Sequence, residues 1–268
     1  MLKRVIHQSN SLMFACLLLL SLWFLSPAAV QAGKAMKAMV FDGSSGTIEI
    51  ATVYETSYSA QKMLVKSLKT KTKAMKKAAG FKGSSMLQSQ DGKQVIAFSQ
   101  WQDVASYQTA TAASGASASS KSTTASTPLV PPEPTRVLKY EIATVQTSIS
   151  GATPALRGKE AVVQLAQFTA KDPVTRSQIR TKVKQLLPQL LQKQPIPQSI
   201  VLLTDVETGD VALMTNWNCS ALFEDVGKPS AIELSDDLLA LVDSTQQLFN
   251  VTSILPATEV KPDKESIE

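Results

Sequence analysis

The stretch DGKQVIAFSQWQDVASY, Asp91 to Tyr107, reads as a tight turn, an apolar strand, a Trp at the strand end and the start of a helix. The chain writes the same pattern again in other residues, as ETGDVALMTNWNCSALF at Glu207 to Phe223. In both stretches the Trp stands ten residues after the first residue, and an aromatic follows six residues later. That echo predicts one fold unit present twice. It raises the question of whether each Trp works in a site or plugs a core.

Working outward from Asp91 gives the first unit. Thr47 to Thr56 is rich in β-branched and aromatic residues and reads as a strand. Leu64, Leu68, Met75 and Ala79 then fall on one helical face, opposite Lys62, Lys66, Lys69, Lys73 and Lys76, and Gly80 stops the helix. Met86 to Gln90 and Gln94 to Gln100 flank Asp91-Gly92, a dipeptide that accepts the positive φ angles of a hairpin turn. Gln102 to Ala110 reads as a short helix and Val137 to Ser148 as a last strand. Between them, Thr109 to Thr135 is Ser, Thr, Ala and Pro with almost nothing large to bury, which predicts a disordered insertion.

The second unit follows the same order. Ala161 to Thr169 is the strand, Asp172-Pro173 supplies a cap and a first-turn proline, and Ile179, Val183, Leu186 and Leu190 make the apolar face. Ile179, Val183 and Leu190 each lie 115 residues after Leu64, Leu68 and Met75, and Trp217 lies 116 after Trp101. Pro188 is expected to kink or shorten this helix. Hairpin strands at Ser199 to Val206 and Asp210 to Asn216, a helix at Ser235 to Asp243 and a last strand at Leu248 to Ile254 complete it. Each unit is therefore β-α-β-β-α-β, the split pattern of ferredoxin-like α+β domains, over residues 46–150 and 158–256, with a flexible acidic tail at 257–268.

Residues 1–32 read as a signal peptide. Lys3 and Arg4 form a basic start, Leu12 to Leu25 is a run of fourteen apolar or small residues, and Val30 and Ala32 place small residues at the cleavage positions. Export to the periplasm or the medium is the expectation. An uncleaved signal anchor is the alternative, although the run is shorter than the roughly 20 residues a membrane span needs.

The leader takes with it His7, the only histidine, and Cys16, one of the two cysteines. The rest of the chain then has no imidazole for a catalytic triad, zinc or haem, and Cys219 has no disulfide partner. No clustered acidic loop suggests a metal. The formal charge of +5 over 268 residues is too small to point to nucleic acid. Seven lysines without an acid between Lys62 and Lys77 form either a solvated face or a contact for an anionic surface.

The strand, long helix, Gly80-Phe81-Lys82-Gly83, hairpin ending in Trp101, then Asp103 and Tyr107, resemble the antibiotic-biosynthesis-monooxygenase (ABM) domains of the dimeric α+β barrel superfamily. The second unit is similar through Trp217 and Phe223, with Ile196-Pro197 in place of the Gly-Phe pair. The resemblance implies a barrel built from both units, a pseudo-dimer within one chain. It implies, further, a small aromatic or quinone-like substrate oxygenated without metal, flavin or other cofactor. Carried over to this chain, the site residues would be Tyr54, Trp101, Trp217 and Asn218. The haem-degrading members need a histidine ligand, and the chain has none once a leader carrying His7 is removed.

The structural alternative is that both tryptophans fill the space between helix and sheet, with each N–H bonded to a carbonyl. Gln167, one place before Phe168, stands where the first unit has Tyr54, so the two pockets are expected to differ. Cys219 reads as a small buried residue rather than a nucleophile. A non-catalytic barrel that binds a small apolar ligand, a protein partner or an anionic surface is the competing function.

Overall fold

The computed structural model describes residues 37–118 and 132–256. The leader, the remainder of the predicted insertion and the acidic tail lie outside the described residues. A short strand β1 (Ala38–Val40) precedes the first repeat, which comprises β2 (Ile48–Glu55), α1 (Gln61–Met75), β3 (Phe81–Ser89), β4 (Gln94–Trp101), α2 (Val104–Ala118) and β5 (Arg136–Thr147). A second short strand, β6 (Ala155–Arg157), leads into β7 (Val162–Ala170), α3 (Arg176–Leu190), β8 (Ser199–Asp205), β9 (Val211–Trp217), α4 (Leu222–Val226), α5 (Asp236–Leu239) and β10 (Val242–Pro256).

The eight long strands close into one antiparallel barrel, in the order β10-β3-β4-β2-β5-β8-β9-β7. Each repeat contributes four consecutive strands in ferredoxin-like order, and the two junctions are β5 with β8 and β10 with β3. The barrel is thus an intrachain α+β barrel, and the echo in the sequence marks its two halves.

Closure buries both faces of a strand. On β2, Ile48, Ile50 and Tyr54 pack toward the helices, whereas Ala51 and Val53 join the core of the lumen. The same alternation places Leu165 inside and Phe168 outside on β7. The helices lie against the outer faces. α1 buries Leu64, Val65 and Leu68, and α3 buries Ile179, Val183 and Leu187. Gly80, at φ +78°, turns the chain out of α1 where an added Cβ would sit 2.5 Å from the Ser106 hydroxyl, so only glycine fits. Gly92, at φ +81°, makes the hairpin turn the sequence predicts.

Several sequence expectations need correction. The predicted insertion does not begin at Thr109, because α2 continues to Ala118. Its alanines have high helix propensity and need little surface to dock, and Ala110 is buried against the first repeat. The helix expected at Ser235 to Asp243 is only Asp236–Leu239, and β10 begins at Val242 rather than Leu248. β10 is long because it serves two partners, Val242 to Asn250 on β7 and Phe249 to Pro256 on β3. Its polar first half carries no apolar signal. On α3 Leu187 joins Ile179 and Val183 as a buried position, with Leu186 and Leu190 at the margin, and Pro188 sits in the last turn, where the helix ends anyway.

The sequence offered no sign that β1 and β6 pair. This two-stranded ribbon brings Met39, Phe41 and Leu156 into the lumen core, with Phe41 edge-on to Phe98 at 6.4 Å. Beneath it lies Glu49, which is fully buried and accepts a 2.8 Å hydrogen bond from Gln100 Nε2. The same nitrogen donates to the Val40 carbonyl at 2.8 Å, and Glu49 Oε2 has no hydrogen-bond partner among the described residues.

Burial pushes the Glu49 carboxyl up to about 8, against which the Gln100 bond pulls it down. The unfolded chain releases this proton near 4.5 and the folded chain holds it to about 8, so across that interval the folded state binds more protons. The stability it contributes is complete below the lower value and is lost as pH rises through the upper one. Urea midpoints measured from pH 5 to pH 8 should fall, and Glu49→Gln should flatten that slope. An equal fall in the variant would assign it to other groups.

Candidate functional site

The first repeat holds a pocket of about 190 Å³ between its sheet and its two helices. β2 supplies Thr52 and Tyr54, α1 supplies Lys71 and Thr72, β3 and β4 supply Ser84 and Ser99, and α2 supplies Tyr107 and Thr111. Leu68, Met75, Phe81 and Ala97 are the apolar walls. Among its described lining residues there is no carboxylate, imidazole or thiol, and Lys71 is the one charged side chain. Such a space suits a small apolar body that carries an oxygen to be hydrogen-bonded or held as an anion.

Tyr54 is 3% exposed. Burial first, and then the neighbouring Tyr107, push its phenol up to about 12. It is therefore a neutral O–H donor at physiological pH, not a base. Trp101 is fully buried and does not line the pocket. Its Nε1 donates to Ser99 Oγ at 2.9 Å, and its ring meets Phe81 and Tyr107 edge-on, at 5.3 and 5.6 Å. All three of those neighbours line the pocket, so Trp101 is a brace one layer behind it. Tyr54 and Trp101 do not touch within one cluster: Tyr54 packs with Leu64, Leu68 and Val95, and Trp101 with Ile48, Ile50 and Ala110.

The second repeat has closed the equivalent space. Trp217 donates from Nε1 to the Pro195 carbonyl at 2.8 Å and meets Phe223 edge-on at 5.7 Å. The remaining void is about 20 Å³, room for about one water. A loop lies across it: Ile232 exchanges both backbone hydrogen bonds with the Gln246 amide, at 2.7 and 2.9 Å, and Gln164 donates to the Ser230 carbonyl. Ile48 and Val162 pair with Trp101 and Trp217 at matching ends, so strand register makes Phe168 the counterpart of Tyr54. Gln167 instead bonds the Tyr140 hydroxyl at 3.1 Å. The expected difference between the repeats stands, with Phe168 replacing Gln167 as its cause. Asn218 is not among the residues around the void, and Cys219 is half-buried in the turn after β9.

Lys62, Lys66 and Lys73 are exposed, Lys76 is half-buried, and Lys69 donates to the Thr252 carbonyl at 3.1 Å. Lys71, which was not among the sequence candidates, reaches the pocket. Its signal was present, since it stands three residues after Leu68 and four before Met75, inside the apolar stripe. Ser84, Ser99 and Thr111 gave no such signal, because small hydroxyl residues on half-buried elements are common.

No protein-family profile matches the chain, and no curated protein does. Solved structures do. An anthrone oxidase-like protein superposes with a TM-score of 0.58 at 15% identity, over 83% of this chain and 97% of its own. A candidate monooxygenase from Fusobacterium nucleatum subsp. nucleatum superposes with a TM-score of 0.52 at 11% identity, over 78% and 94%. At these identities the likeness is one of fold. The chain has the fold of the ABM-like dimeric α+β barrels, with both halves of the barrel drawn from one polypeptide.

Proposed function

We propose that the first-repeat pocket binds a small, acidic phenol or quinol as its anion and presents it to dioxygen, so that the protein is a monooxygenase working without metal or flavin. The observation that carries this reading is a pocket where Lys71 stands at one side and the neutral Tyr54 hydroxyl at another, with no carboxylate among its described lining residues to repel an anion. An ionised, electron-rich ring can itself reduce oxygen. The protein's part is to hold the anion, exclude bulk water and donate hydrogen bonds to the charge that develops. The described lining residues include no carboxylate or imidazole to take the substrate's proton, so the fitting substrates are those that ionise near neutral pH. Its volume suits one ring or two fused rings. The fold shared with proteins named for oxidase and monooxygenase activity supports the reading.

One observation favours a second reading, a ligand-binding protein without turnover. Tyr54 is held protonated and Trp101 is not among the described lining residues, which supports binding without turnover.

Titrating a panel of phenols and naphthoquinols while recording oxygen uptake above the protein-free rate separates the two. Uptake with one oxygen atom incorporated is the expected result, and saturable binding without uptake would leave only the second reading. Lys71→Met should weaken phenol binding roughly tenfold above the phenol's own pKa and change it little below, since one charge-assisted contact is lost. Loss at both pH values would place the effect in packing rather than charge.

We propose in addition that residues 1–32 are removed on export. The basic start, the apolar run and the small residues at Val30 and Ala32 support this. Intact mass of the protein from its native cells should place the N-terminus at Gly33. A full-length chain in the membrane fraction would make the segment an anchor instead.

A further inference from the structure

The barrel has two ends, and the structure closes one. Met39, Phe41 and Leu156 fill the end where β2 and β7 begin. At the other end, where β2 and β7 finish and β5 starts, the lumen opens into a cavity of about 330 Å³, larger than the pocket beneath the helices. Its floor is apolar: Ala51, Val53, Ile96, Leu165 and Phe249, all lumen-facing members of the barrel core. Arg136, Lys93, Asp91, Gln167 and Gln247 ring the opening.

The charges at this rim are not equally available. Asp91 is committed to its own turn, where its Oδ1 accepts from Lys93 N at 3.0 Å and from Ser89 Oγ at 2.8 Å. Arg136, at the first residue of β5, has no ion pair among the described residues. Its guanidinium nevertheless bears on the buried Tyr140 hydroxyl: burial pushes that phenol up to about 12, and Arg136 pulls against the shift. An arginine that faces the lumen with no ion-pair partner among the described residues, above an apolar floor, is half of a recognition pair. A carboxylate matches the planar fork of a guanidinium with two parallel hydrogen bonds.

The cavity is separate from the pocket already described. The two lie on opposite faces of the same strands: Ala51 and Val53 line the lumen, Thr52 and Tyr54 the helix side. The pocket in the first repeat has no counterpart in the second, whereas the lumen cavity draws on both, with Leu165 and Phe249 from the second repeat facing Val53 and Ile96 from the first. Only a closed barrel makes it.

We propose that the open end of the barrel is a second ligand site, taking a small organic carboxylate whose apolar tail enters the lumen while its head pairs with Arg136. Lys93 adds a second cation at the opening, and the Gln167 and Gln247 amides supply polar contacts around the head. The site does not depend on the reading of the helix-side pocket.

Octanoate and 1-octanol are suitable probes, because they share a tail and differ in the head. Calorimetric titration of the intact protein should show one saturable octanoate site. Arg136→Gln, an exposed change that leaves the core alone, should weaken octanoate by about tenfold and leave 1-octanol unchanged, since one charge-assisted pair is lost. Lys71→Met and Tyr54→Phe should leave octanoate unchanged. Absence of saturable octanoate binding overturns the proposal, as does equal binding by Arg136→Gln. So does a loss of octanoate binding in Lys71→Met with retention in Arg136→Gln, which would put octanoate beneath the helices. Phenol binding is read in Lys71→Met and octanoate binding in Arg136→Gln, so either site can fail without the other.

Discussion

Along the two edges of each four-stranded sheet, the backbone N–H and C=O groups find their partners only in the other repeat. β5 pairs with β8 and β10 with β3, and without those ladders each repeat would expose two strand edges and one apolar sheet face. The remaining features follow from that constraint. Because the sheet curls into a closed barrel, every central strand is buried twice, once against helices and once in the lumen. Strands such as β9, buried along its whole length, carry no polar alternation. Closure also creates two unlike spaces: one beneath the helices, specific to a repeat, and one on the axis, common to both.

With closure shared between the repeats, each has been free to treat its outer face differently. In the first, Tyr54, Lys71 and Tyr107 leave a pocket, and Trp101 stands behind it to hold Ser99 and Tyr107 in place. In the second, Phe168 removes the hydroxyl, Trp217 locks onto the Pro195 carbonyl, and the loop through Ile232 fills what remains. The tryptophans are equivalent in the fold, and each braces its helix–sheet interface. Only one brace has an open space in front of it.

The architecture was legible in the sequence because it rests on strong local signals: Asp91-Gly92, the helical stripe through Leu64 and Leu68, and the spacing that Trp101 and Trp217 share. What was hidden had weak local signals and distant partners. β1 and β6 are three residues each, too short for a period, and are strands only because they meet. The first half of β10 is polar and is held by β7, and α2 extends through alanines and threonines that look like linker. The site was read in part. Tyr54 lines the pocket, Lys71 stands within a lysine run that reads as either a solvated face or an anionic contact, and Trp217 and Asn218 belong to a repeat that has closed. Register, which the sequence does not display, moved the counterpart of Tyr54 from Gln167 to Phe168.

β10 supplies the last pairing in the chain, and it is the strand that joins the second repeat back to β3 of the first. The first repeat can be fully synthesised, with every one of its own strands in order and β3 paired to β4, and still wait with the outer edge of β3 open until the final strand arrives. Contacts between such distant segments make folding slow and leave a sticky edge open meanwhile. The edge that waits, β3, carries Lys82 at its exposed start and polar residues through Ser84, Ser85 and Gln88. A strand of that composition is a poor template for the edge of another molecule, and that restraint protects the chain during the interval before it closes on itself.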